Sequence, residues 1–398
     1  MMPGALSGIR VVDLSRVLAG PWAGQLLGDL GADVVKVERP TSGDDTRAWG
    51  PPWRAGNEPG ERPDAAYFTC ANRNKRSVVL DLADDQGQAA VRALVAKADV
   101  LIENFKVGGL SQYGLDYDSL REINPRLIYC SITGFGQTGP YAHRPGYDFL
   151  VQGMGGLMSV TGRPDEEPGG GPMKVGVALV DVMTGLYATT AILAALQHRN
   201  TTGQGQHIDI ALLDVQVAAL ANQAANYLVG GVVPGRMGNS HPNIVPYQDF
   251  PTADGYMILT IGNDLQFSRF CRVAGHPEWA NDERFSTNAA RVKNRDELVG
   301  LMNQATTKMT TSEWIAELEL VGVPCGPINN VSQAFDDPQV RARELQVDMA
   351  DAQGKVTRVV GNPIRLSASP VSYRYAPPAL GVDTDAVLQE WLGKNSTN

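Results

Sequence analysis

The 398-residue sequence lacks the short motifs that mark most metal and redox sites. Its four cysteines, Cys70, Cys130, Cys271 and Cys325, are far apart and form no CxxC pair, and its five histidines form no HxH or HExxH. Separated cysteines of this kind are typical of a reducing compartment. We therefore expect neither a structural zinc nor any other metal site.

Positive charge is also scarce. The chain has 34 Lys and Arg against 43 Asp and Glu, a net charge of −9, which argues against nucleic acid as the main partner. A local basic site for an anionic cofactor remains open. No continuous apolar run is as long as a membrane span, and the first residues, MMPGALSGIRVVDLS, lack the features of a signal peptide. We predict a cytoplasmic protein with no membrane partner.

The first half of the chain alternates between apolar, β-branched segments and helical patterns, which predicts an α/β fold with an open, parallel, Rossmann-like sheet. Predicted strands cover residues 8–14, 32–38, 77–82, 100–104, 126–133 and 207–209. Predicted helices cover residues 20–30, 86–98, 145–158, 211–228, 266–273, 295–304, 312–320 and 384–392.

At this length we expect a large domain and a smaller α+β domain. The predicted boundaries are 1–225 for the first part of the large domain, 226–253 for a linker and active-site loop, 254–340 for the small domain, and 341–398 for a return linker and a C-terminal part that packs on the large domain.

Asp181 stands at a change of pattern within the stretch KVGVALVDVMTGLYATTAILAAL, residues 174–196. An apolar extended segment precedes it and a helical pattern follows it to about residue 197. Asp is a favoured helix N-cap, because its oxygen accepts the first free amides. The alternative is that Asp181 is a positioned nucleophile, and the local pattern does not decide between the two.

Ligands of open α/β sheets bind beyond the carboxyl ends of the strands. Here those ends carry Arg16, Arg39 and Asn104, and arginines suit an anionic ligand. The alternative is that both arginines form surface ion pairs. A nicotinamide dinucleotide is disfavoured, since Gly20, Gly24 and Gly28 do not form the GxGxxG pattern.

Several segments together resemble the class III CoA transferases, the family of formyl-CoA and carnitine CoA transferases. They run from residue 8 to past residue 330 and read DLSRVLAGPWAGQLLGDLGADVVKVERP, GDDTR, NKRSVVLDL, IENF, SITGFGQTGP, GYDF, VGVALVDVMTGLYA, PYQDFPTADGY and GVPCGPINNV. The segments AANYLVG, NIVPYQDF and GNDLQF are similar to the subgroup that uses succinyl-CoA and short dicarboxylates such as glutarate.

The resemblance implies that Asp181 is the catalytic nucleophile, which forms an aspartyl anhydride and then an aspartyl-CoA thioester. It implies coenzyme A or acyl-CoA and a small carboxylic acid as substrates, no tightly bound cofactor, and an interlocked homodimer. By position in the family motifs, the CoA-site residues are Arg16, Val17, Leu18, Ala19, Arg39, Leu80, Asn104, Phe105, Tyr147 and Asp148. Gly238, Asn239 and His241 fall in a loop that covers the active site in formyl-CoA transferase.

The sequence departs from formyl-CoA transferase at several positions. Leu18 replaces a glutamine, and a lysine and an arginine of its CoA site fall on Ala83 and Gln112. Other cations must then meet the CoA phosphates, and the candidates are Arg73, Lys75, Arg76 and Lys106. For the distal carboxylate of a dicarboxylate we expect an arginine, with Arg16 and Arg236 as candidates.

Two other functions remain open. An acyl-CoA racemase of the same fold uses a His and an Asp as bases, but its His falls on Tyr147, and an unperturbed tyrosine is a poor base at neutral pH. A non-catalytic acyl-CoA-binding protein would need the basic site but not Asp181.

Overall fold

The computed structural model describes residues 4–54 and 63–393. The strands are β1 (Arg10–Asp13), β2 (Asp33–Glu38), β3 (Lys75–Val79), β4 (Val100–Glu103), β5 (Ile128–Thr133), β6 (Gln206–Ala211), β7 (Tyr247–Pro251), β8 (Tyr256–Thr260), β9 (Cys325–Pro327), β10 (Gln346–Ala350) and β11 (Val356–Val360).

The α-helices alternate with these strands along the first half of the chain and dominate the region after β8. They are α1 (Ala19–Asp29), α2 (Ala66–Thr69), α3 (Asp85–Val95), α4 (Tyr117–Ile123), α5 (Asp148–Met154), α6 (Leu157–Val160), α7 (Leu179–Thr202), α8 (Leu212–Ala218), α9 (Ala221–Gly230), α10 (Asp264–Val273), α11 (Asn288–Lys293), α12 (Arg295–Thr306), α13 (Thr311–Leu320), α14 (Val331–Asp336), α15 (Pro338–Ala342) and α16 (Thr384–Leu392). Short 3-10 helices cover Asp45–Ala48, Ser111–Tyr113 and Pro277–Asn281.

Six strands form one parallel sheet in the order β3-β2-β1-β4-β5-β6. Both faces are covered, because successive valines of a strand point to opposite sides. Val11 and Val34 pack with α1 and α7 in one core, while Val12 and Val35 pack with α3 and α16 in the other. The prediction of a parallel α/β sheet is confirmed.

The chain divides into two compact units. The first unit comprises the described residues up to 157, together with residues 175–224 and those from 339 onward; the second comprises residues 158–174 and 225–338. The second unit contains the antiparallel sheet β7-β8-β9 and a core that includes Phe250, Phe267 and Trp314. The predicted domain boundaries stay a prediction.

Two predicted helices differ from the observed ones. The apolar segment 211–228 forms two helices, α8 and α9, because Ala221, the first residue of α9, adopts a left-handed φ of 45°. The helix predicted over 145–158 divides into α5 and the short α6. Neither break carries a proline that would have marked it.

Helix α7 has 24 residues, and by length and composition alone it could cross a membrane, because an 18-residue window within it has a mean hydropathy of 1.7. Asp181 interrupts the apolar stretch of this helix, so the sequence still contains no continuous apolar run as long as a membrane span, and the absence of a membrane partner stays a prediction. Core helices of soluble proteins meet the same criterion, and 44% of this stretch is buried within the chain. Val180, Ala188 and Ile192 of α7 belong to the core that packs against the sheet.

Candidate active site

Asp181 lies in the first turn of helix α7, which begins two residues before it. The N-cap is Ala178, whose side chain caps nothing. The backbone N–H groups of Val180 and Asp181 instead donate to one oxygen of Asp148, at 2.8 and 3.3 Å. The interpretation of Asp181 as the N-cap is therefore wrong. Its carboxylate is left available for chemistry.

Asp148 is held in place by its own helix. It begins α5 after the N-cap Tyr147, and its other oxygen accepts a hydrogen bond from Gln152 Nε2 at 2.6 Å. The side-chain oxygen of Gln152, Oε1, in turn accepts the backbone N–H of Val175 at 2.9 Å. Gln152 thus connects α5 to the segment that leads into α7. The neighbouring Tyr147 side chain is 65% exposed.

Burial sets the protonation state of Asp181. Desolvation, together with the negative charge of Asp148, raises the pKa of the Asp181 carboxyl to about 7. Near neutral pH the group is therefore divided between its acid and its carboxylate. A partly desolvated carboxylate is a better nucleophile than one in bulk water, which agrees with the predicted catalytic role.

Tyr67, which the sequence did not predict as a site residue, is affected by the charge of Asp181. Burial and the charge of Asp181, with smaller effects from Cys70 and Asp148, raise the pKa of Tyr67 to about 12, so its hydroxyl stays protonated. The ring packs edge-on against Trp49, with centroids 5.3 Å apart. Tyr67 comes from the short helix α2 and carries no motif of its own, so only its position in the fold reveals it.

Gly185 explains how α7 can lie so close to α1. It stands one turn after Asp181, and a Cβ at this position would lie 2.8 Å from the Ala19 carbonyl oxygen and 2.9 Å from Trp22 Cβ. Only glycine permits this approach. It places the predicted CoA loop, residues 16–19, beside the helix turn that follows Asp181.

The loop Arg16–Ala19 is fastened at its start by Asn104. The Asn104 side chain accepts the Arg16 N–H at 2.9 Å and donates to the Arg16 carbonyl at 2.7 Å. Its amide is thus bonded to the protein backbone. Leu18 and Ala19 are buried, at 5% and 4% exposure, and Val17 has a left-handed φ of 72°.

A cavity of about 210 Å³ opens beside this loop at the carboxyl ends of β1, β2 and β4. Four predicted CoA-site residues line it, namely Arg16, Arg39, Leu80 and Phe105, as does Ala83. The Arg16 guanidinium lies over the Phe105 ring, 5.4 Å from its centroid, and both arginines pair with Asp45. The cavity thus brings together the cationic and apolar parts of the predicted site.

Three of the four candidate phosphate ligands prove to be structural. Arg73 pairs with Asp29 at 2.5 Å, Lys75 with Asp13 at 2.9 Å, and Arg76 with Asp33 at 2.5 Å. All three cations are buried. Their assignment to CoA phosphates is therefore wrong, and Lys106, which is exposed, remains as a candidate.

Gly238, Asn239 and His241 belong to the second unit, and their approach to Asp181 stays a prediction. Arg295 Nη2 donates to the carbonyls of His241 and Pro242, at 2.8 and 3.1 Å. Burial and the charge of Arg295 lower the pKa of His241, which is therefore neutral near pH 7.

Arg236, a candidate for the distal carboxylate, pairs with Asp165 and donates to the Arg163 carbonyl at 3.2 Å. No group of three or more His, Cys, Asp or Glu side chains that could hold a metal occurs within residues 4–54 and 63–393.

Comparisons with known proteins agree with this geometry. The sequence profile of a family described as "CoA-transferase family III" matches residues 6–384. A protein of Agrobacterium fabrum named succinate–glutarate CoA-transferase is 55% identical over 97% of this chain and 95% of its own length. Human succinyl-CoA:glutarate CoA-transferase is 44% identical over 97% of this chain and 86% of its own length.

Among solved structures, a CAIB/BAIF family protein from Brucella suis superposes with a TM-score of 0.85. It is 52% identical, and the match covers 98% of this chain and 100% of that one. The match over nearly the full length, together with a half-buried Asp181 and a neighbouring arginine-lined cavity, leads to one conclusion: the chain belongs to CoA-transferase family III and is a CoA-transferase.

Proposed function

We propose that this enzyme moves CoA from succinyl-CoA to a short dicarboxylate. The observation that carries the proposal is the half-buried Asp181 carboxylate, with a pKa of about 7, at the start of α7. Its position beside the CoA loop supports attack on a thioester. The names of the bacterial and human relatives, which pair succinate or succinyl-CoA with glutarate, support the choice of substrates.

In the first half-reaction the Asp181 carboxylate attacks the thioester carbonyl of the donor. The C–S bond breaks, the electron pair leaves with the CoA thiolate, and an aspartyl–acyl anhydride forms. The thiolate then attacks the aspartyl carbonyl of the anhydride. The donor acid leaves as its carboxylate, and the enzyme holds an aspartyl-CoA thioester.

In the second half-reaction the acceptor carboxylate attacks this thioester and releases the CoA thiolate again. The thiolate attacks the acceptor carbonyl of the new anhydride, which yields the new acyl-CoA and restores the Asp181 carboxylate. Each step exchanges one acyl bond for another, so the energy of the thioester is kept without ATP. Positioning and partial desolvation of Asp181 supply the reactivity.

The protonated hydroxyl of Tyr67 suits this sequence. It lies close enough to Asp181 for the charge of that carboxylate to raise its pKa. A neutral phenol donates one hydrogen bond, and negative charge develops on carbonyl oxygen as each tetrahedral intermediate forms. We assign Tyr67 to that oxygen, with Trp49 fixing the ring.

For the distal carboxylate of the acceptor we favour Arg16 over Arg236. The Arg16 side chain is 39% exposed and its link to Asp45 is long, at 3.3 Å. The Arg236 side chain is only 12% exposed and already pairs with Asp165. An acceptor carboxylate can therefore displace the partner of Arg16 at a lower cost in free energy.

We also propose that the enzyme is a cytoplasmic homodimer. Exposed apolar residues support an association surface, since Tyr227, Leu228, Val229, Val232 and Val233 are each at least 55% exposed. Folded monomer at nanomolar concentration in sedimentation experiments would contradict an obligate, interlocked dimer.

The experiment that tests the function is incubation with succinyl-CoA and a pool of short acids, followed by mass spectrometry of the CoA thioesters. New thioesters should form without ATP, and Asp181→Asn should slow their formation by at least about a thousandfold. Transfer that survives this substitution would refute the mechanism. Intact succinyl-CoA, combined with α-proton exchange on a branched acyl-CoA, would favour the racemase instead.

A further inference from the structure

Val17 adopts a backbone conformation that its side chain opposes. Its φ of 72° lies in the left-handed region, which glycine enters freely but β-branched residues rarely adopt. Strain of this kind persists only where the surrounding structure enforces it. The residue stands in the middle of the CoA loop, between Arg16 and Leu18.

Three side chains hold the loop around Val17, through five hydrogen bonds. Both carboxylate oxygens of Asp44 lie 3.3 Å from the Val17 nitrogen and accept its N–H. Lys36 Nζ donates to the Ser15 carbonyl at 2.8 Å. Asn104 holds both backbone groups of Arg16. The peptides on either side of Val17 are therefore held by hydrogen bonds to Asp44, Lys36 and Asn104.

Asp44 and Lys36 form an ion pair with a distance of 2.9 Å, and neither side chain has any exposure to solvent. Burial alone would raise the pKa of Asp44, but the Lys36 charge and the hydrogen bonds from Lys36 and Thr46 lower it to about 2. A second pair, Asp13 and Lys75, lies equally buried nearby. Ser15 donates its hydroxyl and its N–H to Asp13, which links the two pairs.

Stability does not explain this arrangement. A buried ion pair contributes little net stability compared with apolar residues of the same size. A valine with a left-handed φ lowers the stability of the folded state. Together they fix one loop shape at a cost to the folded state. Strain that is kept in this way is characteristic of binding and catalytic sites.

We propose that Asp44 and Lys36 are positioning residues, which hold Val17 in its left-handed conformation so that the loop Arg16–Ala19 keeps the shape that acyl-CoA binds. This inference rests on the proposed function for its ligand. It assigns to the buried pair a role in affinity for acyl-CoA and none in the bond-making steps at Asp181.

The first test concerns strain and needs no substrate. Val17→Gly should leave the melting temperature unchanged or raise it, because glycine carries no penalty at this φ. Val107→Gly is the matched control, since Val107 is a half-buried loop valine without a positive φ. It should lower the melting temperature. Equal losses from both substitutions would overturn the claim that Val17 is strained.

The second test removes the pair as a unit, since deleting one charge would leave the other buried and unpaired. Lys36→Met with Asp44→Asn should raise KM for acyl-CoA roughly tenfold, if the competent loop falls to about a tenth of the population. The value of kcat should change by less than about twofold, because the bound enzyme is unaltered at Asp181. CoA binding followed by calorimetry should weaken by the same factor.

The third test is rescue. Adding Val17→Gly to the charge-free double variant should restore most of the lost affinity, while adding Val107→Gly should not. If Val17→Gly gives no recovery, or if kcat falls in step with affinity, the pair has no positioning role. If the wild-type enzyme processes no acyl-CoA, the proposed function fails. The melting temperatures then still show whether Val17 is strained, and hydrogen exchange of residues 15–20 still shows whether Asp44 and Lys36 hold the loop.

Discussion

The carboxylate of Asp148 accepts the backbone N–H of Asp181 at 3.3 Å and that of Val180 at 2.8 Å. Asp148 thereby supplies the cap that helix α7 does not provide for itself. The same negative charge adds to burial in raising the pKa of Asp181. One side chain thus positions Asp181, the proposed nucleophile, and also limits its ionisation, and the two effects can be separated by mutation.

Asp148→Asn should shift the pH dependence of CoA transfer. The amide oxygen can still accept the two N–H groups, but the charge is gone, so the pKa of Asp181 should fall below its value of about 7. The wild-type kcat should rise with pH through about 7, and the variant should reach its plateau at lower pH. Identical profiles would show that burial alone sets the pKa.

Asp148→Ala is the informative companion. It removes the charge and the cap together, so it should shift the pH profile in the same direction. Loss of the cap should also lower the free energy of unfolding by about 1 kcal/mol. Urea denaturation of Asp148→Asn and Asp148→Ala at one pH separates the effect of the lost cap from that of the lost charge.

Asp181→Asn should stabilise the fold at high pH. Because the folded pKa is about 7 and the ordinary value is 3.8, the folded protein keeps a proton that the unfolded chain has lost between these values. Stability of the wild type therefore falls as pH rises from about 4 to about 7. Removing the carboxylate should yield a gain on the order of 1–4 kcal/mol at pH 8 and almost none near pH 4.

The measurement is denaturation of both proteins at several pH values. Asp118→Asn serves as the control for the loss of an exposed carboxylate, since that side chain is 79% exposed. A gain for Asp181→Asn that does not vary with pH would contradict a raised pKa.

Gly185→Ala should destabilise the enzyme and slow transfer, even though alanine is the better helix former. Its Cβ would lie 2.8 Å from the Ala19 carbonyl, so α7 must move away from α1 and carry Asp181 with it. Gly300→Ala in α12 is the control, since its Cβ would meet no atom within 4 Å. That change should stabilise by about 0.5–1 kcal/mol. Melting temperatures and kcat of both variants give the comparison.

Leu80→Asp should weaken CoA binding without much effect on saturated turnover. Leu80 is half-buried in the cavity with Arg16 and Arg39, and a carboxylate there would oppose both an apolar ring and phosphate charge. The Kd for CoA should rise roughly 10- to 100-fold. Leu265→Asp, at a position 58% exposed in the second unit, should leave it unchanged. Equal Kd values for Leu80→Asp and wild type would contradict the assignment of this cavity to CoA.

Local patterns predicted the sheet well, because each strand carries its own alternating or apolar run and the core lies on both faces. They did not predict the start of α7, since its cap, Asp148, comes from another helix 33 residues earlier. The division between α8 and α9 likewise depends on a left-handed alanine that has no sequence signal.

The sequence also could not predict which charged side chains pair with each other. Arg73, Lys75 and Arg76 follow one another in a basic motif that suggests a phosphate site. Their carboxylate partners stand 43 to 62 residues away, on β1, β2 and α1. Tyr67 could not be predicted for the same reason, because it and Asp181 are more than 100 residues apart in the sequence.

The first unit is assembled from segments at both ends of the chain, and this has a consequence for its synthesis. Ser77 of β3 donates its N–H to Asp383, 306 residues later, and the Arg47 guanidinium donates to the Pro378 carbonyl. At about 5–20 residues per second, a ribosome needs roughly 15–60 s to supply those partners. During that interval the nascent sheet has an open edge at β3, whose unpaired N–H and C=O groups can pair with another chain until the C-terminal segment emerges.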